Sequence, residues 1–505
     1  MRETKRRQQS ELNSGLTEAF MATARRYPSQ HAFVHDHRTI TYAQLAEMTE
    51  AFALRLTSQR DWRPRTRVAI RLPNSPEYAA AFYGTLLAGG IAVPIPMEQS
   101  TGWIEHVLES TQTRWFVETA NSETSDASLR RVDDDSLDAS RIEAPNNLAA
   151  IFFTSGSSGS PKGVMLSHRN LLANAQSICA SLPLQQTDRA LALLPFCHAY
   201  GNSVLQTHLL TGATLVVAGS ATFPATLTEA MQRHAVTSFA GVPDLYRLLL
   251  PAFRASAAAR THLRYTTVAG GALRPEITRE CAELLRPAEL FVMYGQTEAT
   301  ARLSCLPASQ LATHYGSIGR GIPGVTLEVV HESGRRVLPG ELGQIRASGE
   351  NVMLGYWNDP EATSRILHDG WLQTGDLATV DDEGFIYPKG RTSQLLKIGG
   401  YRLHPAEIET VIAREFPTIE PVVVPFETAD HFTRLALFLL PLRPGLTPDT
   451  DKVRSCCRRL LARHQRPDVI TFLVTPPLTA SLKIDRLRLS ELAAETAERR
   501  LAGQT

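Results

Sequence analysis

The sequence predicts an α/β protein of more than one domain. A large N-terminal region, residues 1–390, holds two βα-layered subdomains and a small β-barrel, and a small α+β domain follows over residues 391–505. Three observations carry that expectation. At 505 residues the chain is too long for one compact core. Strand-like and helix-like segments alternate from the start, the pattern of a mostly parallel sheet covered by helices. The texture then changes twice, near residue 315 and near Gly390.

In chain order, Thr41-Tyr42-Ala43-Gln44-Leu45 opens an amphipathic helix after a short β stretch, and Val68-Ala69-Ile70-Arg71-Leu72 reads as a buried strand. Pro73-Asn74-Ser75-Pro76 punctuates the chain before a helix rich in Ala and Tyr. Residues 119–147, polar and acidic around Asp133-Asp134-Asp135, read as a surface excursion. Ala149-Ala150-Ile151-Phe152-Phe153 then begins a strand–turn–helix unit whose helix spans Leu166 to Ala175. From about residue 315, short β-rich segments are separated by Gly321-Ile322-Pro323-Gly324 and Leu338-Pro339-Gly340, which gives the barrel-like part. Beyond Gly390 come strands at Pro421 to Pro425 and Leu435 to Leu440 and a basic helix from Lys452 to Arg466, enough for a separate α+β domain.

Composition narrows the function classes. With 43% apolar and 20% charged residues the chain is an ordinary globular one. A formal net charge of +1 argues against nucleic acid or an anionic membrane as partner. The N-terminus is basic but lacks the apolar run of a secretory signal, and reads as a solvated tail. No stretch approaches the ~20 apolar residues of a membrane span. The six cysteines have no metal-ligand spacing. They read as reduced thiols in a cytoplasmic protein, with Cys456-Cys457 as helix packing.

Two loops carry chemistry. Thr154-Ser155-Gly156-Ser157-Ser158-Gly159-Ser160-Pro161-Lys162-Gly163 follows an apolar strand. Its small residues expose backbone N–H groups that can form an anion nest, its hydroxyls can donate, and Lys162 adds positive charge. The alternative is a Gly/Ser linker; placement between a strand and a helix favours phosphate. It is not a Walker A loop, which ends in Gly-Lys-Ser/Thr. Tyr294-Gly295-Gln296-Thr297-Glu298 follows the strand-like Leu290 to Met293. It sets an aromatic face, a glycine for close backbone approach, a hydroxyl and a carboxylate together, which suits a nucleotide with bound Mg²⁺. Alone, it could equally be a helix start with an acidic first turn.

Together these loops resemble the Thr-Ser-Gly-rich phosphate loop and the Tyr-Gly-x-Thr-Glu motif of the AMP-forming adenylating superfamily of acyl-CoA synthetases, peptide-synthetase adenylation domains and luciferases. Further segments resemble that family's motifs in the same order. They are Leu194 to Gly201, Gly270-Gly271-Ala272, Gly340-Glu341-Leu342-Gly343 with Gly355-Tyr356, Thr374-Gly375-Asp376, Gly390-Arg391 through Glu407-Ile408-Glu409, and Pro477 to Lys483. The resemblance implies an enzyme that activates a carboxylic acid with ATP and Mg²⁺, then passes the acyl group to a thiol. It implies that Thr154 to Gly159 and Lys162 cradle the β and γ phosphates, Glu298 holds Mg²⁺, and Thr297 touches the α-phosphate. Tyr294 would stack on adenine within Gly295, Gln296 and the Gly270-Gly271-Ala272 loop, while Asp376 would accept from the ribose hydroxyls. Arg391 would add a ribose or phosphate contact, or serve as a hinge salt bridge. Lys483 would bridge the attacking carboxylate and the phosphate from a mobile C-terminal domain. Rotation about Ser393 would then present Lys397, Gly399 and Gly400 along a pantetheine tunnel. Two departures stand out: Ser393 replaces the family's hinge Asp or Lys, and Leu482 replaces the Gly before the terminal lysine.

No Asp lies in Phe196-Cys197-His198-Ala199 to pair with an α-ammonium, so an amino acid is disfavoured. The His198 pattern is most similar to acyl-CoA and hydroxycinnamate ligases, with the ring beside the carboxylate; a core histidine is the alternative. Asn202, Gly241, Gly271 and Met293 are candidate lining for a fatty or aryl acid, the glycines leaving depth. The basic run Lys452, Arg454, Arg458, Arg459, Arg463 and Arg466 reads as a solvated helix face or as a surface for CoA phosphates or an acidic carrier protein. The acceptor is the thiol of CoA, or alternatively the phosphopantetheine of an acyl carrier protein. A weakened paralogue that only binds an acyl ligand is a third reading, disfavoured by the joint presence of Lys162, Glu298, Asp376, Arg391 and Lys483.

Overall fold

Two sheets of mixed direction, each parallel at its centre, fill the N-terminal region in a computed structural model that describes residues 15–35, 38–121, 124–132, 144–154, 161–218, 224–271, 273–392, 396–398, 401–403, 405–427, 433–442, 445–479 and 483–501. The first has nine strands, and its parallel centre runs Glu289–Tyr294, Tyr265–Val268, Ser238–Gly241, Arg189–Leu191, Thr214–Val217 and His31–His35. The second has seven, with Leu148–Thr154, Ile91–Pro94, Arg67–Arg71 and Trp115–Asn121 parallel at its centre. Strands such as Ile91–Pro94 are buried along their whole length, which is why they read as continuous apolar runs. Helices start where the sequence supplies a cap. Thr41 and Gln44 form a capping box on Tyr42–Thr57, and Ser75 caps Pro76–Leu87 with Pro at the first turn.

Two local expectations are corrected. Residues 124–131 form an edge strand, antiparallel to Trp115–Asn121, rather than an excursion. The reason is that Ala127 and Leu129, two residues apart on one face, pack on the core. The Gly/Ser-rich loop does not lead into a helix. It joins Leu148–Thr154 to an antiparallel strand, Lys162–Ser167, with Thr154 opposite Lys162, and only then does His168–Ser181 begin, capped by Ser167 and Asn170. Gly163-Val164-Met165-Leu166 is apolar enough to form a strand, so a strand and not a helix directly follows the loop.

The small β part is a five-stranded antiparallel sheet: Val325–Val330, Gly343–Gly349, Trp371–Val380, Leu367–His368 and Ile386–Arg391. It closes on Ile318, Val329, Val337, Ile345, Ala378 and Ile386. The tiny strand Gly355–Tyr356 leaves this sheet and pairs with Lys162–Ser167, Tyr356 opposite Val164. That pairing carries Tyr356 to the mouth of the Gly/Ser-rich loop.

After residue 395 the chain builds cores of its own. Ile419–Glu427, Thr433–Pro441 and Val469–Phe472 form a three-stranded sheet. Strand periodicity splits its residues cleanly. Leu435, Leu437 and Leu439 face the helices Pro405–Glu415 and Thr450–Leu460, whereas Ala436, Phe438 and Leu440 face the helix Arg486–Leu501. Cys456 and Cys457 are free and buried under the second helix, where they serve packing. The basic run is partly neutralised: Lys452 pairs with Asp449 and Arg459 with Glu415. That helix ends at Leu460, and Arg466 turns back to donate to the carbonyls of Leu461 and Arg458. Among the described residues no helix is long and apolar enough to cross a membrane.

We propose a domain boundary at residues 390/391, which predicts separable unfolding. All five tryptophans (Trp62, Trp103, Trp115, Trp357, Trp371) precede it. Leu437→Ala, at a wholly buried position, should cost about 2–5 kcal/mol. In urea, circular dichroism should then show an early transition that tryptophan fluorescence does not follow. Coincident transitions would merge the two units.

Candidate active site

The carboxyl ends of parallel strands are where an open α/β sheet binds ligands, and the candidate residues converge there. Tyr294 closes the strand Glu289–Tyr294, and the next residue must be glycine for an internal reason: a Cβ on Gly295 would lie 1.9 Å from the carbonyl oxygen of Ala301. The close approach is thus made by the chain itself, which folds back so that the Leu303 N–H reaches the Tyr294 carbonyl at 2.8 Å. Inside that return, Thr297–Ala299 forms one 3₁₀ turn, and Thr300 sits at φ +66°, a strained setting for a β-branched residue. Its hydroxyl donates to the Asn351 carbonyl at 2.7 Å, which helps to hold it. Thr297 and Glu298 are therefore presented on a tightly fixed loop.

Glu298 accepts from the Tyr356 hydroxyl at 2.8 Å, and the Lys162 ammonium lies 5.0 Å from the centre of the Tyr356 ring. Burial, then the adjacent Glu298 charge, hold the Tyr356 phenol well above its usual range. Tyr356 therefore ties the loop cation to the loop carboxylate. Sequence reasoning assigned it to a motif without giving it a role, because its partners lie far away in the chain.

Asp376 is the second focus. The Tyr294 hydroxyl donates to Oδ2 at 2.6 Å, and Arg391 Nε lies 2.9 Å from Oδ1. Arg391 Nη2 also donates to the Thr374 carbonyl at 3.1 Å, and the Asp376 amide donates to the Thr374 hydroxyl. Register places Asp376 opposite Arg391 in adjacent strands, so the pair is built into the sheet.

Lys483 reaches the same cleft from the C-terminal unit. The residue keeps contact with solvent, yet its tip is inside: a Cβ on Gly270 would meet Cε at 3.4 Å and Nζ at 3.7 Å. Gly270 itself sits at φ +85°, where glycine is favoured. Burial pushes the Lys483 ammonium below the ordinary lysine range, Arg391 adds to that, and Asp244 opposes it. The C-terminal unit is held in this position by named contacts. Arg247 bridges Asp244, at 2.6 Å, and Glu420, while Arg274 donates to the carbonyls of Ile419 and Pro417, each at 3.1 Å.

His198 precedes the helix Ala199–Thr211, half-buried, and among the described residues its Nε2 has no hydrogen-bond partner. Burial lowers its pKa, with Glu98 opposing and Lys483 assisting. Among the described residues the ring thus offers an unengaged Nε2, within reach of the field of the Lys483 ammonium. Met293 packs with Ile178, Tyr265, Ala269 and Cys305, a cluster that Tyr200 borders. Two lining expectations fail. Asn202 is 1% exposed and donates to the Phe196 carbonyl at 3.1 Å while accepting from Gln206, so its amide is committed to the fold. Gly241 leaves no depth, since a Cβ there would stand 2.9 Å from the Tyr246 ring. Gly271 packs near Pro243. Lys397 falls on the short strand Leu396–Ile398. Ser155, Gly156, Ser157, Ser158, Gly159, Ala272, Ser393, Gly399, Gly400 and Leu482 lie outside the described residues.

Tyr294, Asp376 and Arg391 at one focus, Lys162, Tyr356 and Glu298 at another, and Lys483 reaching in beside Gly270 bring cations, carboxylates and an aromatic ring to the strand ends, the equipment of an enzyme that handles an anionic ligand. The family described as AMP-binding enzyme matches residues 20–357, and the chain belongs to it. A feruloyl-CoA synthase from Amycolatopsis sp is 32% identical over 486 residues, covering 94% of this chain and 98% of the relative. A long-chain-fatty-acid–CoA ligase from Salmonella typhimurium is 28% identical over 537 residues, covering 95% and 94%. The solved o-succinylbenzoate CoA synthetase from Bacillus subtilis, in complex with its acyl-adenylate, superposes with a TM-score of 0.77 at 26% identity, covering 93% of this chain and 97% of that one.

The charge pattern around Lys483 predicts a titration. With lysines labelled by reductive ¹³C-methylation and followed by NMR, the Lys483 signal should titrate below the ordinary lysine value of 10.5. Asp244→Asn removes the negative charge that supports protonation, so the midpoint should move lower still. An upward move would place another group in control.

Proposed function

We propose that this protein is an acid–CoA ligase that works through an acyl-adenylate. A carboxylate oxygen attacks the α-phosphorus of ATP and pyrophosphate leaves. The thiol of CoA then attacks the acyl carbon, and AMP leaves. The observation that carries this reading is the entry of Lys483, from a separate unit, into a cleft that also presents the unengaged His198 imidazole. Two anions must meet for the first step. A fixed positive group where charge develops is what lowers that barrier.

The remaining roles follow from chemistry. Asp376 uses one lone pair on each oxygen for Tyr294 and Arg391, and its others remain for a vicinal diol such as ribose. Tyr294, with the Gly270 loop, borders the base. Thr154, Lys162 and the loop between them receive the β and γ phosphates, and Thr297 the α-phosphate. Glu298 is the carboxylate available to Mg²⁺. Among the described residues no three His, Cys, Asp or Glu gather into a metal site. That suits Mg²⁺, which keeps water and substrate phosphates as most of its ligands. For the second step, rotation about Ser393 would withdraw Lys483 and bring Lys397, Gly399 and Gly400 to the thiol. The inter-unit contacts of Arg247 and Arg274 would break in that rotation.

ATP–pyrophosphate exchange over a panel of acids tests the first step. Lys483→Ala should lower exchange by a factor of about 10² to 10³. The same variant, given synthetic acyl-AMP and CoA, should form thioester at the normal rate. Proportional loss in both assays would make the C-terminal unit a static lid. Thioester formation with CoA, compared with holo-acyl carrier protein, identifies the acceptor.

A further inference from the structure

Below the cleft lies a small cavity of about 20 Å³, between the helices His168–Ser181 and Ala199–Thr211 and the strands Ser238–Gly241 and Tyr265–Val268. Arg302 reaches into its wall, although the residue is only 3% exposed. The guanidinium carbon lies 3.6 Å from the centre of the Tyr200 ring, and among the described residues Nε has no hydrogen-bond acceptor. Nη1 makes a long contact of 3.5 Å to the Ala301 carbonyl. Among the described residues no Asp or Glu pairs with it. An arginine side chain keeps its proton even here, so this is a buried positive charge without a counter-ion. The π face of Tyr200 returns only part of the hydration that a guanidinium gives up on burial.

Of the other polar groups of the wall, the buried Ser238 hydroxyl has no partner among the described residues, whereas the rest are engaged. Ser203 donates to the Tyr200 carbonyl and Thr207 to that of Ser203, Thr267 shares a hydrogen bond with the Tyr200 hydroxyl, and His208 bonds the Val204 carbonyl and Tyr265. What the cavity still lacks is a negative acceptor, which Arg302 Nε and the Ser238 hydroxyl can both meet. The closed space holds about one water, which brings no charge, so a larger occupant must widen it. The arginine is also held in place. Asn174 and Asn351 each donate to its backbone carbonyl at 2.9 Å, and both are buried. Tyr200, two residues after His198, connects the levels: its hydroxyl reaches the Gly241 carbonyl and Thr267 at the strand ends that border the cleft.

We propose that the acid activated by this enzyme carries a second anionic oxygen group at the end remote from the reacting carboxylate, and that Arg302 receives it. The substrate class is a dicarboxylic acid, aliphatic or aryl, not a plain fatty acid. This rests on the acid-activating reading above. A buried cation with an open valence discriminates strongly, because an apolar terminus would leave it unpaired. Removing one partner of such a desolvated pair commonly costs affinity by a factor of about 10² or more.

The test compares matched acids in ATP–pyrophosphate exchange: the C4 to C8 α,ω-diacids against the monoacids of equal length, and 4-carboxycinnamate against cinnamate and 4-hydroxycinnamate. The wild-type enzyme should favour the best diacid over its monoacid by about 10²-fold in kcat/KM. Arg302→Met keeps the stem over Tyr200 and should erase that preference while raising use of the monoacid. Arg302→Lys should restore part of it. Since a buried unpaired charge is lost, Arg302→Met should also melt higher than wild type, whereas a purely structural arginine would lower the melting temperature. Equal or better use of monoacids or of 4-hydroxycinnamate by the wild type overturns the inference and leaves the acid-activating reading intact. Absence of exchange with every acid, while ATP still binds, overturns that reading and this inference with it.

Discussion

The carboxylate of Asp376 is where three parts of the chain are tied together. Tyr294 comes from the end of the nine-stranded sheet, Asp376 from the small β sheet, and Arg391 from the strand that leads out toward the C-terminal unit. Each oxygen accepts from one partner, so the position of Asp376 fixes the sheet edge and the exit strand at once. The same arrangement leaves acceptor capacity facing the cleft. Structural and ligand roles are thereby shared by one group. That is economical but unforgiving, because any loss at Asp376 disturbs the fold and the site together.

Around the cleft, three carboxylates near the cations are already engaged by protein donors. Lys162, Arg391, Lys483 and Arg302 all stand in or beneath it. Glu298 is occupied by the Tyr356 hydroxyl, Asp376 by two donors, and Asp244 by Arg247. Burial depresses the basicity of Lys483, with Arg391 adding to it, and burial likewise acts on the Arg302 guanidinium. Sites organised in advance for charge commonly give up some stability. The strained Thr300 adds a backbone contribution in the same loop.

The second unit is docked through its sheet end, by Glu420 and the carbonyls of Pro417 and Ile419, rather than through either of its cores. A polar seam of this kind can open without exposing a large apolar surface. The separation of the two cores and the polar nature of the seam are what a unit needs if it is to present two faces in turn.

Much was legible in the sequence, for identifiable reasons. Buried parallel strands are apolar throughout, capping residues mark helix starts, and the strand Leu435 to Leu440 carries a two-residue period, all of which are local properties. The order of short motifs was enough to indicate the family and to select Lys162, Tyr294, Glu298, Asp376, Arg391 and Lys483. What tertiary structure decided depended on contacts distant in the chain. The helix expected from Leu166 starts only at His168, because Lys162–Ser167 is a strand paired on one side with Leu148–Thr154 and on the other with Gly355–Tyr356, almost two hundred residues on. Asn202 was taken for a pocket residue because an asparagine after the motif histidine looks the same whether its amide faces a ligand or the Phe196 carbonyl. Tyr356 and Arg302 were given no role, since a tyrosine and an arginine signal nothing until their surroundings are known. Sequence specifies which charges the chain carries; only folding determines which of them are left without a partner, because pairing and desolvation are properties of space, not of order.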